Sequence, residues 1–193
     1  MRYPSFLVVL LVFIGLLPAA ARGQSDDPIP AENQKELRRQ TDAAVEGKRI
    51  QLASQKMDST ERGFYLDTFR VQTWDGKCHD YLEKTQGFLS TVDMLNLTGE
   101  EATAYDSLLN KYYRKLSSVL KGEDKKTLIQ AQRAWLAFRD AEAKLIVTVD
   151  RAAADGHPGT MASLSEASTY CAMIYQRMID IYSYYHQMVS DPL

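Results

Sequence analysis

Three histidines, His79, His157 and His186, and two cysteines, Cys78 and Cys171, are the side chains of this 193-residue chain best suited to metal ligation or nucleophilic attack. They are scattered without the spacing that a zinc site uses, so neither a structural nor a catalytic metal is implied. A glycine-rich phosphate loop and a serine nucleophile motif are both missing. Carboxylate pairs such as Glu100 with Glu101 and Asp140 with Glu142 could in principle exchange protons with a substrate. Helix surfaces carry such pairs everywhere, so the reading is a protein that is not an enzyme and needs no cofactor. The polar residues that stand out are Arg139 and Arg177, each beside an apolar stripe. A guanidinium there can bridge a carboxylate on a neighbouring helix while it stacks on an aromatic ring. Arg139 lies one turn from both Trp135 and Glu142, so Gln132, Trp135, Arg139 and Glu142 could form one half-buried polar and aromatic cluster. In the alternative of a purely structural role, the two arginines lock helix register around Asp140 and Glu142.

The element that must hold this cluster is the stretch 128–149, which has no glycine or proline and consists mostly of good helix formers. Leu128, Ala131, Trp135, Phe138, Leu145 and Val149 recur at roughly 3.5 residues, the seam of a helix packed lengthwise in a bundle. Glu142 stands where the next large apolar residue of that seam belongs. Before it, Thr98 with Glu101 reads as a capping box that opens a helix over 99–121, whose apolar face includes Tyr105, Leu109, Tyr112 and Leu116. The short charged link at Gly122 to Asp124 makes these two helices antiparallel neighbours. After them, Asp155, His157, Gly159 and Thr160 belong to the strongest loop signal in the chain, with two glycines and a proline in five residues. A last helix over 161–189 follows, with five tyrosines between Tyr170 and Tyr185, read as a core seam or as an exposed docking face. Upstream, residues 32–57 form a mostly exposed polar helix, a second helical segment starts after Asp58, and Asp75-Gly76 marks a break. The fold class is all-α, an antiparallel bundle of four to five helices with a polar N-terminal helix.

The first 23 residues have the charged, apolar and small-residue regions of a secretory signal peptide, and the apolar run from Phe6 to Leu17 is too short to span a membrane. Removing them takes away Arg2 and Arg22 and no acid, so 23 basic residues against 25 acidic become 21 against 25, a net charge of −4. That balance argues against nucleic acid as a partner and suits a basic protein. The mature chain, with residues 24–57 as leader and polar helix and 58–190 as the helical domain, is expected in the periplasm or outside the cell, with no transmembrane segment. In such an oxidising compartment Cys78 and Cys171 either form a disulfide or stay as two separately buried thiols.

The order Asp106-x-x-Leu109-Asn110-x-x-Tyr113-x-x-Leu116, Gln132-Arg133-x-Trp135-x-x-Phe138-Arg139-Asp140-Ala141-Glu142, Gly159-Thr160-Met161 and Gln176-Arg177 resembles the LprI-like lysozyme inhibitor family over roughly residues 78–187. The resemblance implies a small extracytoplasmic helical domain and, for its named type, inhibition of lysozyme; it maps no inhibitory residue onto this chain. The family commonly has a cysteine after Arg-Asp-Ala-Glu and another after Ala-Ser, where this chain has Ala143 and Thr169, so both members of that pair are missing. Cys78 resembles an upstream family cysteine whose mate would fall near Leu97. The expected function is therefore a binding protein that occludes a lysozyme or another envelope protein, with the loop at 155–160 as the part that enters a concave site. The alternative is a structural or assembly module of the envelope that docks a partner helix on its tyrosine-rich last helix.

Overall fold

The computed structural model describes residues 28–154 and 159–190, and in it five α-helices follow one another: α1 (Ala31–Ala53), α2 (Ser59–Gln86), α3 (Thr91–Val119), α4 (Gly122–Ala153) and α5 (Thr160–Val189). The described chain is all-α. The signal-like segment, Asp155 and His157 lie outside the described residues.

Local chemistry sets most of the boundaries. Asp58 caps α2 by accepting from the backbone N–H groups of Thr60 and Glu61. Gly87, at φ 81°, closes the same helix in the left-handed conformation that glycine adopts without a Cβ clash. Two expected boundaries move. Asp75-Gly76 does not break the chain, because α2 runs through it to Gln86. Nor does Thr98 begin a helix: Ser90 and Asp93 form a complete capping box about two turns earlier, and Thr98 lies inside α3. The bonds that Ser90 and Asp93 exchange satisfy the helix end, so the later Thr–Glu spacing is left without a terminus to cap.

The centre of the molecule also differs from the expected one. The most extensive helix pairing is α3 with α5, not α4 with its neighbours. Tyr105 meets Tyr175, Tyr112 meets Tyr182, and Cys171 meets Glu101 at a separation of 70 residues, so the two helices run parallel in one register. Their shared core contains Leu109, Tyr112, Leu116, Ile174, Met178 and Ile181, with Val71 of α2 and Leu128 of α4 at its edges. A smaller cluster of Ile29, Leu37, Cys78, Leu82 and Leu97 fastens α1 and the C-terminal half of α2 to the start of α3. Cys78 and Cys171 are thus buried in different clusters and no disulfide joins them.

Consecutive helices alternate in direction. Arg38 of α1 lies over Trp74 of α2, Asp67 of α2 meets Lys111 of α3, and Gln132 of α4 meets Arg177 of α5. Although α4 follows α3 after a tight turn at Gly122 (φ 53°), its packing partner is α5. The polar helix α1 is less exposed than its composition suggests, since Leu37, Thr41, Val45 and Leu52 are buried. No helix among the described residues is long and apolar enough to cross a membrane.

Candidate functional site

α4 carries two stripes, and the structure turns the polar one inward. Leu128 is its only buried residue, and the half-buried positions Gln132, Trp135, Arg139, Glu142, Ile146 and Asp150 continue that line toward α5. Three large residues of the expected seam point the other way: Phe138, Leu145 and Val149 are 55%, 52% and 55% exposed, whereas Leu128 and Trp135 face inward. Met161 at the start of α5 is likewise exposed. Glu142 therefore does not interrupt a buried apolar seam; it belongs to a polar one.

Along the inward line the arginines connect α4 to α5. The Arg139 guanidinium sits 5.5 Å from the Trp135 ring and 5.2 Å from the Tyr170 ring of α5, and donates from Nε and Nη2 to Asp140 Oδ1 at 2.9 and 2.7 Å. The neighbouring carboxylate thus takes the place expected for Glu142. Arg177 Nε donates to Gln132 Oε1 at 3.1 Å, and the same guanidinium lies 5.8 Å from Trp135. From α3, Asn110 Nδ2 donates to the backbone carbonyl and to Oδ2 of Asp106, both at 2.9 Å. Burial pushes the Asp106 carboxyl above its ordinary pKa, against the opposing pull of Arg139 and of the Asn110 bond. Tyr113 and Tyr170 are also raised by burial, with Arg133 and Arg139 respectively acting in the opposite direction. Asn110, Tyr113, Gln132, Trp135, Arg139, Asp140 and Arg177 accordingly meet where α3, α4 and α5 converge. Toward the end of α4 the seam deteriorates: Asp150 Oδ2 is buried and has no hydrogen-bond partner among the described residues, and Glu166, raised first by burial, is raised further by Asp150.

Two further polar sites join residues too distant in sequence for spacing to reveal. Asp67 Oδ2 accepts from Lys111 Nζ and from the buried Tyr112 hydroxyl, each at 2.5 Å, which ties α2 to α3. Asp58 Oδ2 lies 2.7 Å from His186 Nε2, and Ser190 Oγ lies 2.9 Å from the same nitrogen. A Ser–His–Asp relay needs the hydroxyl and the carboxylate on different ring nitrogens, so this arrangement is a tie between α2 and α5. Asp58, Glu61 and His186 also bring one ligand atom each within 4.8 Å of one another. Both Asp58 oxygens already serve the α2 cap and the histidine.

The motif residues on α3, α4 and α5 lie within residues 83–180, which match the family model described as lysozyme inhibitor LprI. The chain belongs to that family. The matched stretch covers the end of α2, all of α3 and α4 and most of α5, and leaves α1 and most of α2 outside it. No curated protein and no solved structure matches the chain. In this family member the polar seam helps to join the helices: guanidinium groups beside aromatic rings and the Gln132–Arg177 hydrogen bond dock α4 together with Leu128 and Trp135, while the side with Phe138, Leu145 and Val149 stays uncovered.

Proposed function

We propose that the chain is an exported, non-catalytic binding protein that inhibits a lysozyme by occlusion, and that α4 is the surface it presents. The observation that carries this reading is the exposed line Phe138, Leu145 and Val149 on α4, with Met161 at the start of α5 also exposed. Apolar side chains at helical spacing that serve no core contact are what a partner surface requires. We include the connection at 155–160 in the proposed partner surface, of which Gly159 and Thr160 are exposed. The family's description supplies the partner class, and the net charge of −4 for residues 24–193 favours encounter with a cationic protein. The polar joint and the two interhelix ties read as structural, which suits a binder rather than a catalyst.

The alternative of an envelope module docking through α5 has less support. Of its five tyrosines only Tyr184 is exposed, while Tyr170, Tyr175, Tyr182 and Tyr185 pack against the core.

The test is a cell-wall lysis assay with lysozyme and increasing amounts of purified residues 24–193, at low and at physiological salt. Saturable inhibition at both is expected, and Phe138→Glu combined with Leu145→Glu should abolish it while the circular dichroism spectrum stays unchanged. Folded protein that inhibits at neither salt would sink the proposal.

A further inference from the structure

Between α1 and α3, above α2, lies a groove of about 790 Å³, within the range of small-ligand sites. Its apolar lining is Val71, Trp74, Leu95, Ala104 and Ala167, and the two alanines leave room beside the helices. Most of its polar groups are already engaged. Arg70 pairs with Asp42, Glu100 Oε2 accepts from Trp74 Nε1 at 3.2 Å, and the Thr41 and Thr103 hydroxyls donate to carbonyls of their own helices. Arg38 is different. Its exposed guanidinium lies over the Trp74 ring, 4.4 Å from the centroid, and among the described residues it has no carboxylate partner. A guanidinium fork that rests on an aromatic ring and lacks an acceptor matches a carboxylate.

The lining charges decide between ligands. Arg38 and Arg70 balance Asp42 and Glu100, so the groove suits a dipolar ligand better than a polyanion. The indole face under Arg38 is occupied, and the ring also packs against the Leu82 cluster, so a sugar ring finds no platform there. A ligand that offers a carboxylate to Arg38, an N–H to the second Glu100 oxygen and an apolar side chain to Val71, Ala104 and Ala167 uses every open feature. We propose that this groove binds the C-terminal residues of an apolar peptide, with the terminal carboxylate on Arg38. Asn96, also in the lining, supplies an amide for the peptide backbone.

The experiment exposes immobilised residues 24–193 to two pools of N-acetylated hexapeptides, randomised at the last four positions. One pool ends in free carboxylates and the other in amides. Enrichment of free acids with apolar terminal residues is expected, with the amide forms of the same peptides at least tenfold weaker. Arg38→Gln should reduce affinity roughly ten- to a hundredfold, the loss of a charge-assisted bond. Arg38→Lys should retain part of it. Ala167→Met, which fills the groove and leaves Arg38 in place, should also abolish binding, and it carries the test alone if Arg38→Gln loses helicity. Equal retention of acid and amide pools overturns the proposal. So does selection of peptides whose affinity neither groove variant changes.

Discussion

One oxygen of Asp58 accepts from the Thr60 and Glu61 N–H groups and the other meets His186, and these bonds, that from Glu61 foremost, hold its carboxyl below the ordinary 3.8. A carboxyl lowered in the folded state stabilises fully above its unfolded-state value, and that contribution drains away as pH falls through the lowered one. Asp58→Ala should therefore cost about 1 kcal/mol at neutral pH, the usual value of a lost cap. It should also flatten the acid limb of a plot of Tm against pH below 3.8, which thermal melts will show. Cys171 shows the opposite environment: burial, reinforced by Glu101, pushes its thiol up to about 12. With so little thiolate at pH 8, Cys171 should resist iodoacetamide in the folded protein and react once it is denatured, as peptide mass mapping can read. At this scale the sequence was informative where partners lie one turn apart, as with Arg139 and Trp135. It was silent on Asp58 with His186 and Asp67 with Tyr112, pairs that only the fold brings together.

Periodicity identified each helix and combined two sides of α4 in one seam, since Leu128 and Trp135 face inward and Phe138, Leu145 and Val149 do not. Two stripes share that helix: Ala131, Phe138, Leu145 and Val149 on one, Leu128, Gln132, Trp135, Arg139 and Ile146 on the other. Hydrophobicity favours the first. What α3 and α5 present, Asp106, Tyr170 and Arg177, favours the second, and that information lies outside the helix. A direct comparison follows: Leu128→Ala should cost about 2–5 kcal/mol and Phe138→Ala within about 0.5 kcal/mol by denaturant unfolding. The misplaced boundaries have a similar origin. Asp75-Gly76 and Thr98 with Glu101 carry turn and cap chemistry, yet α2 and α3 continue through them because Val71, Cys78, Leu82 and Leu97, on either side, are buried in the clusters those helices share.

For the molecule as a whole, two clusters fasten different parts of the chain. Leu82 and Ile181 are both 0% exposed, one in the cluster that fastens α1 and the other in the α3–α5 core. Leu82→Ala should speed amide exchange chiefly in α1 and the end of α2, whereas Ile181→Ala should do so in every helix; exchange followed by mass spectrometry separates the two outcomes. The all-α class was readable from the chain, but the parallel pairing of α3 and α5 was not, since a short link between α3 and α4 suggests a hairpin. That pairing has a temporal consequence. Residues that meet at a separation of 70 positions cannot find each other until α4 and most of α5 have been made. During synthesis the apolar side of α3 therefore waits, uncovered, for a helix still inside the ribosome. A bundle assembled from local hairpins avoids that interval; this one folds late, and its nascent chain is the form most in need of a chaperone.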